Sequence, residues 1–205
     1  MSLSVENLAC ARGGVPVLEG ISFALAAGEA LILRGPNGVG KTTLLRTLAG
    51  LQPAIAGSMN FDPESTAFSS HADGIKSALT VEENLRFWAQ LYARTLPEDL
   101  FTHFDLQDLR SRLAANLSAG QKRRLGLARL GVLGRQILFL DEPTVSLDES
   151  SVSLFAQFLK NQHLARGGIA IIATHIALGL DAPVLDLAPF KASPDARGGN
   201  DEAFL

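Results

Sequence analysis

The sequence predicts an α/β fold: a core of buried strands and helices, a helical lobe inserted into that core, and an antiparallel β subdomain at the N-terminus. Three observations predict it. Residues 30–33 form an apolar run and residues 42–48 a helix-like run, and between them stands a glycine-rich segment, which is the strand–loop–helix context of a phosphate-binding loop. Residues 137–140 and 169–174 are short, strongly apolar runs of the kind that parallel strands buried on both faces require. Before the first of these, residues 76–135 carry apolar side chains at helical rather than strand spacing.

In chain order, residues 3–8, 21–25 and 30–33 read as strands, with Ala26, Ala27, Gly28 and Glu29 as a tight turn between the last two. The helix over 42–48 is closed by Gly50, and residues 57–61 and 66–68 form two weaker strands. Thr80 and Glu83 make a capping box that opens a helix with an apolar stripe of Leu85, Trp88, Leu91 and Tyr92. That stripe fits either packing inside the lobe or a partner-binding face. Pro97 starts a second helical stretch and Ser118 a third. A helix over 149–164 separates the two buried strands, and residues 184–187 supply a last strand. Residues 1–190 thus read as one domain with its lobe inserted near 76–135, and residues 191–205, containing Gly, Pro and Asp, as a mobile tail.

Composition excludes several classes. The 205 residues suffice for one α/β domain with a sizeable core, and 47% of them are hydrophobic, ordinary globular usage. A net charge of −3 gives no basic surface that calls for nucleic acid. A single cysteine, Cys10, excludes an internal disulfide framework and fits a reducing compartment. The first residues lack a basic n-region followed by an apolar h-region, so no secretory signal is expected. No run approaches the roughly 18 apolar residues of a membrane span. The nearest, residues 21–33, is broken by Gly28 and Glu29. The expectation is a chain soluble on its own, with any membrane role exerted through a partner.

The glycine-rich segment comprises Gly35, Pro36, Asn37, Gly38, Val39, Gly40, Lys41, Thr42 and Thr43. Glycines let the backbone wrap closely, so that successive N–H groups point at the phosphates of a nucleoside triphosphate, and the following helix adds its N-terminal dipole. Lys41 is placed for the β and γ phosphates and the Thr42 hydroxyl for Mg2+. Asp141 and Glu142 end the strand over 137–140, where ligands of an open α/β sheet bind. Two carboxylates there are costly unless they hold a cation or a proton. Asp141 is therefore placed to hold Mg2+ and Glu142 to orient or deprotonate the attacking water, the alternative being an acidic cap on the next helix. Ser118, Ala119, Gly120 and Gln121 sit at a helix start, where Ser118 is a natural N-cap and the whole is either a cap alone or a second anion site. His175 follows the strand over 169–174 and could bond a γ-phosphate, though a lone histidine also fits an ordinary surface or core position.

Taken together these elements resemble the nucleotide-binding domain of ABC transporters, over residues 3–188. The resemblance rests on the phosphate loop, on Leu117, Ser118, Ala119, Gly120 and Gln121, on the segment from Ile137 through Asp141 and Glu142 to Thr144, and on Ala173, Thr174 and His175. Ser146, Leu147 and Asp148 resemble the family's D-loop. The family implies an ATPase whose two copies pair head to tail, each ATP lying between one copy's phosphate loop and the other's Ser118–Gly120 segment. It implies integral membrane subunits as partners, and Glu142 and His175 as catalytic residues. Three departures stand out. Ala119 replaces a glycine, which is tolerable in an ordinary backbone region. Arg12 stands where the family has an aromatic over the adenine, and its guanidinium could stack there. A glutamine between core and lobe is missing; Ala72 occupies its place, with His71 or Asp73 as substitutes. Cys10 to Arg12, residues 71–76 and residues 117–124 also resemble the branch of the family that serves haem export in bacterial cytochrome c maturation. That branch implies a peripheral position on the cytoplasmic face of the inner membrane.

Overall fold

The computed structural model describes residues 2–70 and 73–193. His71 and Ala72 lie outside the described residues, as does the tail from residue 194. Two sheets form the body. One is antiparallel, in the order β2–β1–β4, from β1 (Ser2–Arg12), β2 (Val15–Ala26) and β4 (Ala54–Asn60). The other is parallel, in the order β5–β6–β7–β3–β8, from β3 (Ala30–Arg34), β5 (Thr66–Ser69), β6 (Ile137–Asp141), β7 (Ile169–Ala173) and β8 (Val184–Asp186).

Both faces of the parallel sheet are covered, which is why its strands are apolar without alternation. Ile32, Leu138, Leu140, Ala170 and Ile172 face one core with Val81, Leu85, Phe101 and Phe155. Leu31, Leu33, Ile137, Phe139, Ile169 and Ile171 face the other, with Leu3, Leu8, Leu18 and Ile21 of the antiparallel sheet. The period of two along each strand sorts these side chains. Helix α1 (Lys41–Leu48) packs into the second core through Leu44, Leu45 and Leu48. The lobe, with α2 (Val81–Leu91), α3 (Asp99–His103) and α4 (Ala119–Leu133), packs into the first, and α5 (Glu149–Phe158) joins it there.

Several elements differ from the sequence expectation. β1 and β2 form one long hairpin around Gly13 and Gly14, both at positive φ, so β2 starts at Val15 rather than near residue 21. The turn at 26–29 carries the chain from one sheet to the other. Helix α5 ends at Phe158, and the chain continues as a π turn over Leu159–His163 and a 3-10 turn over Leu164–Arg166. The stripe on α2 splits. Leu85 is buried and Trp88 and Tyr92 pack on the core, but Leu91 is 60% exposed. Six residues on from Leu85 is about 240° around a helix, away from the buried face. At the far end, Lys191 bridges to Leu18 and the Ala192 N–H donates to the Val17 carbonyl, so these two residues are tied to β2.

Candidate functional site

Strands β6, β7 and β3 lie side by side, and the loops that leave their carboxyl ends converge. β3 feeds the glycine-rich loop, β6 ends in Asp141 and Glu142, and β7 leads through Thr174 to His175. They open on a cavity of about 420 Å³ lined by Arg12, Val17, Asn37, Gly38, Gly40, Lys41, Thr42, Thr43, Asp141 and Glu142.

Gly40 is the N-cap of α1, at φ 119, and no side chain caps that helix. A Cβ there would lie 2.8 Å from the Val17 side chain, so both conformation and space demand glycine. Val39, buried, pins the loop to the second core, while Asn37 and Gly38 stay exposed beside Gly35 and Pro36. The first N–H groups of α1 therefore face the cavity side of the loop without a side-chain partner, which is the condition for holding an anion. Thr43 is buried, and its carbonyl accepts from Thr47 Oγ1 and Gln52 Nε2. Gln52 Nε2 also reaches the Ala11 carbonyl, tying α1 to the end of β1 where Arg12 sits. Nothing local in the sequence marks Gln52.

Lys41 is only 8% exposed. Its Nζ donates to the Gly35 carbonyl at 2.9 Å and lies 3.3 Å from His175 Nε2, which is 3.4 Å from Glu142 Oε1. Lysine, histidine and carboxylate thus form a chain in which His175, itself outside the cavity lining, links two residues that line it. Asp141 is 7% exposed and lines the cavity with Thr42. Glu142 does not cap a helix. It sits at φ 47, its N–H donating to the Ala173 carbonyl. The cap of α5 is Asp148, whose Oδ1 accepts from the Ser151 N–H at 2.8 Å and the Ser150 hydroxyl. Hydrogen bonding from the Ser151 hydroxyl first, then from its N–H and from Ser150, holds the Asp148 carboxyl below the usual carboxylate range.

Ser118, Ala119, Gly120 and Gln121 do not line this cavity. Ser118 and Gln121 form a reciprocal capping box on α4, with the Gln121 N–H donating to Ser118 Oγ and the Ser118 N–H to Gln121 Oε1. Ala119 lies in ordinary helical backbone, so its methyl group is accommodated. An added Cβ at Gly120 would lie 3.2 Å from the Ser146 carbonyl, which brings the D-loop segment close to this helix start. Asp73, a candidate stand-in for the missing glutamine, is paired with Arg123 at 2.8 Å. Arg123 is almost fully buried, although its sequence neighbourhood shows only a basic run.

Residues 18–145 match the family model described as ABC transporter. The chain belongs to the ABC transporter family. It is the ATP-binding, ATP-hydrolysing subunit of such a transporter. The ABC transporter relatives include the cytochrome c biogenesis ATP-binding export protein CcmA of Rhodobacter capsulatus, 60% identical over 98% of this chain and 94% of the relative. The protein of the same name from Roseobacter denitrificans is 59% identical over the full length of both chains. Among solved structures, a putative ABC transporter ATP-binding protein of Pyrococcus furiosus superposes with a TM-score of 0.82 at 23% identity, over 94% of this chain and 100% of that one, and so shares the fold.

Proposed function

We propose that this ABC transporter ATPase drives export in bacterial cytochrome c biogenesis, with haem or a haem-loaded chaperone as the cargo released. The names of the relatives at 60% and 59% identity support the pathway. The ATP site rests on one observation: the uncapped start of α1 shares its cavity with Lys41, Asp141 and Glu142, while His175 links the last to Lys41. In this reading the loop amides of residues 35–43 hold the phosphates of ATP. Lys41 leaves the Gly35 carbonyl for the β and γ phosphates. Arg12, at the cavity mouth, stacks on the adenine. Glu142 accepts the proton of the attacking water, and His175 bonds the γ-phosphate.

The Thr42 hydroxyl and the buried Asp141 carboxylate are hard oxygen donors that leave room for phosphate oxygens, a set that fits Mg2+. Among the described residues no cluster of three His, Cys, Asp or Glu side chains would hold a metal unaided, as expected of an ion brought in with the nucleotide. When bound it neutralises developing phosphate charge.

Ser118 lies outside the cavity of its own subunit, which supports a head-to-tail pair in which Ser118 and Gly120 of one copy close the ATP of the other, with Asp148 at the junction. No helix among the described residues is long and apolar enough to cross a membrane. The chain would accordingly sit peripherally on the cytoplasmic face of the inner membrane, bound to integral membrane subunits. A groove on the lobe side fits such a partner. Trp88 and Tyr92 line it beneath Arg129 and Arg135, and the Arg129 Nε is buried without a hydrogen bond. A membrane partner's cytoplasmic helix carrying a carboxylate would meet the guanidiniums of Arg129 and Arg135 that line the groove.

The test is purification with the membrane partners and measurement of which cargo depends on Glu142. Glu142→Gln should retain ATP binding, slow hydrolysis by about 10²- to 10⁴-fold, and abolish ATP-driven haem release. Haem release that persists in this variant, or dependence of a different cargo, would transfer the chain to another exporter or importer.

A further inference from the structure

We infer that Arg123, charge-balanced by Asp73, is the positioning residue that holds Glu142 in its working geometry. The inference rests on the reading of Glu142 as the base.

Glu142 sits at φ 47, in the left-handed region that a residue with a side chain rarely adopts. Such a conformation persists only where the surroundings over-determine it. Here the backbone is gripped from both sides. The Glu142 N–H donates to the Ala173 carbonyl at 2.9 Å. The Glu142 carbonyl accepts from Arg123 Nη2 at 3.1 Å, and the next carbonyl, of Pro143, accepts from Arg123 Nε at 2.8 Å. The same guanidinium donates through Nη1 to the Ser70 carbonyl at 2.6 Å and to Asp73 Oδ1 at 2.8 Å. Four of the five N–H donors of arginine are thereby engaged.

Arg123 is 3% exposed, so its charge needs a partner, and Asp73 is the carboxylate bonded to it. The helix makes room for that carboxylate. A Cβ on Gly126, in the middle of α4, would lie 2.7 Å from the Asp73 side chain. A glycine inside a helix weakens it, and the close approach of Asp73 supplies the reason for this one.

Arg123 lies in the second turn of α4, the helix that Ser118 opens. One rigid helix therefore carries the segment proposed to close the partner copy's ATP and the guanidinium that holds its own subunit's Glu142. A shift of α4 would displace Glu142 against the attacking water, and misplacement of about 1 Å costs on the order of 100-fold in rate.

The test is ATP turnover and affinity for a fluorescent ATP analogue, measured on the full chain with its membrane partners. Arg123→Lys keeps the charge and loses the planar fork, and Arg123→Gln loses both. Each should lower kcat about 10- to 100-fold while ATP affinity stays within about twofold. In a Glu142→Gln background, Arg123→Gln should cause no further loss in single-turnover rate, because the group it positions is gone. Unchanged kcat in both Arg123 variants, or losses that multiply with that of Glu142→Gln, would overturn the inference. If the Arg123 variants lose their cooperative thermal transition, Asp73→Asn carries the same cycle. A lowered kcat that vanishes in the Glu142→Gln background supports the inference, and normal kcat overturns it. Normal turnover by Glu142→Gln alone would instead remove the reading of Glu142 as base, an outcome distinct from the failure of Arg123.

Discussion

Helices α1 and α4 begin in opposite ways. At the start of α1, Gly40 offers no side chain, and the first N–H groups have no side-chain acceptor. At the start of α4, Ser118 and Gln121 satisfy each other's backbone N–H groups in a closed box. A cap stabilises a helix by about 1 kcal/mol. The first helix forgoes this, and its open end faces the cavity that holds Lys41, Asp141 and Glu142. The second is complete within its own subunit. Because Ser118 Oγ only accepts from Gln121, its own O–H remains to be donated, and a phosphate oxygen of a second copy is a fitting acceptor. In the proposed pairing the open helix end takes the phosphates of its own subunit's nucleotide, and the capped one supplies the second half of the partner's site.

The contrast breaks most directly at Lys41. Lys41→Ala removes the cation beside the open end, and tight ATP binding should be lost. Unchanged affinity in a nucleotide titration would show that the open end is not the phosphate site. Gly40→Ala places a methyl group against Val17 and Leu18 at a φ that only glycine adopts freely. It should destabilise the chain by about 1–3 kcal/mol and weaken ATP binding, read by denaturant unfolding and the same titration. Ser118→Ala should cost about 1 kcal/mol in unfolding free energy and lower turnover of the assembled transporter, yet leave the nucleotide affinity of an isolated subunit unchanged. Loss of affinity there would place Ser118 in its own subunit's site.

The smallest effect separates two capping boxes. The box on α2 uses Glu83, whose carboxyl is held below its ordinary value of 4.5 mainly by the bond from the Thr80 backbone N–H. A lowered carboxyl pKa in the folded state contributes stability above the unfolded value and loses it as the pH falls through the folded one. The melting-temperature advantage over Glu83→Gln should therefore be present above pH 4.5 and close below it. The box on α4 uses the neutral Gln121 and carries no such dependence.

The parts of the site that were legible share a property: their physics is local. The glycine-rich loop was readable because a tight turn before a helix needs glycines, as Gly40 at φ 119 shows. The capping boxes at Thr80 and Ser118 follow from residues three positions apart. The strands β6 and β7 were readable because burial on both faces leaves no polar positions in 137–140 and little ambiguity in 169–173. Less legible was the long hairpin of β1 and β2, whose residues 9–20 mix small and polar side chains and pair through irregular register. The bond from Gln52 to Ala11 spans 41 residues, and no periodicity signals it.

Residue types and spacings alone were enough to specify a glycine-rich loop between strand and helix, the strand ending in two carboxylates, the helix starts at Thr80 and Ser118, and the family. They could not specify which charges meet in the interior. Asp73 and Arg123 are 50 residues apart, and each taken alone reads as a surface charge. Only the stacking of α4 against the loop after β5 and the turn after β6 brings them together and leaves Arg123 facing the carbonyls of Glu142 and Pro143. The reason is that burying a charge is tolerable only with partners in place, and those partners come from two segments that lie far from α4 in the chain.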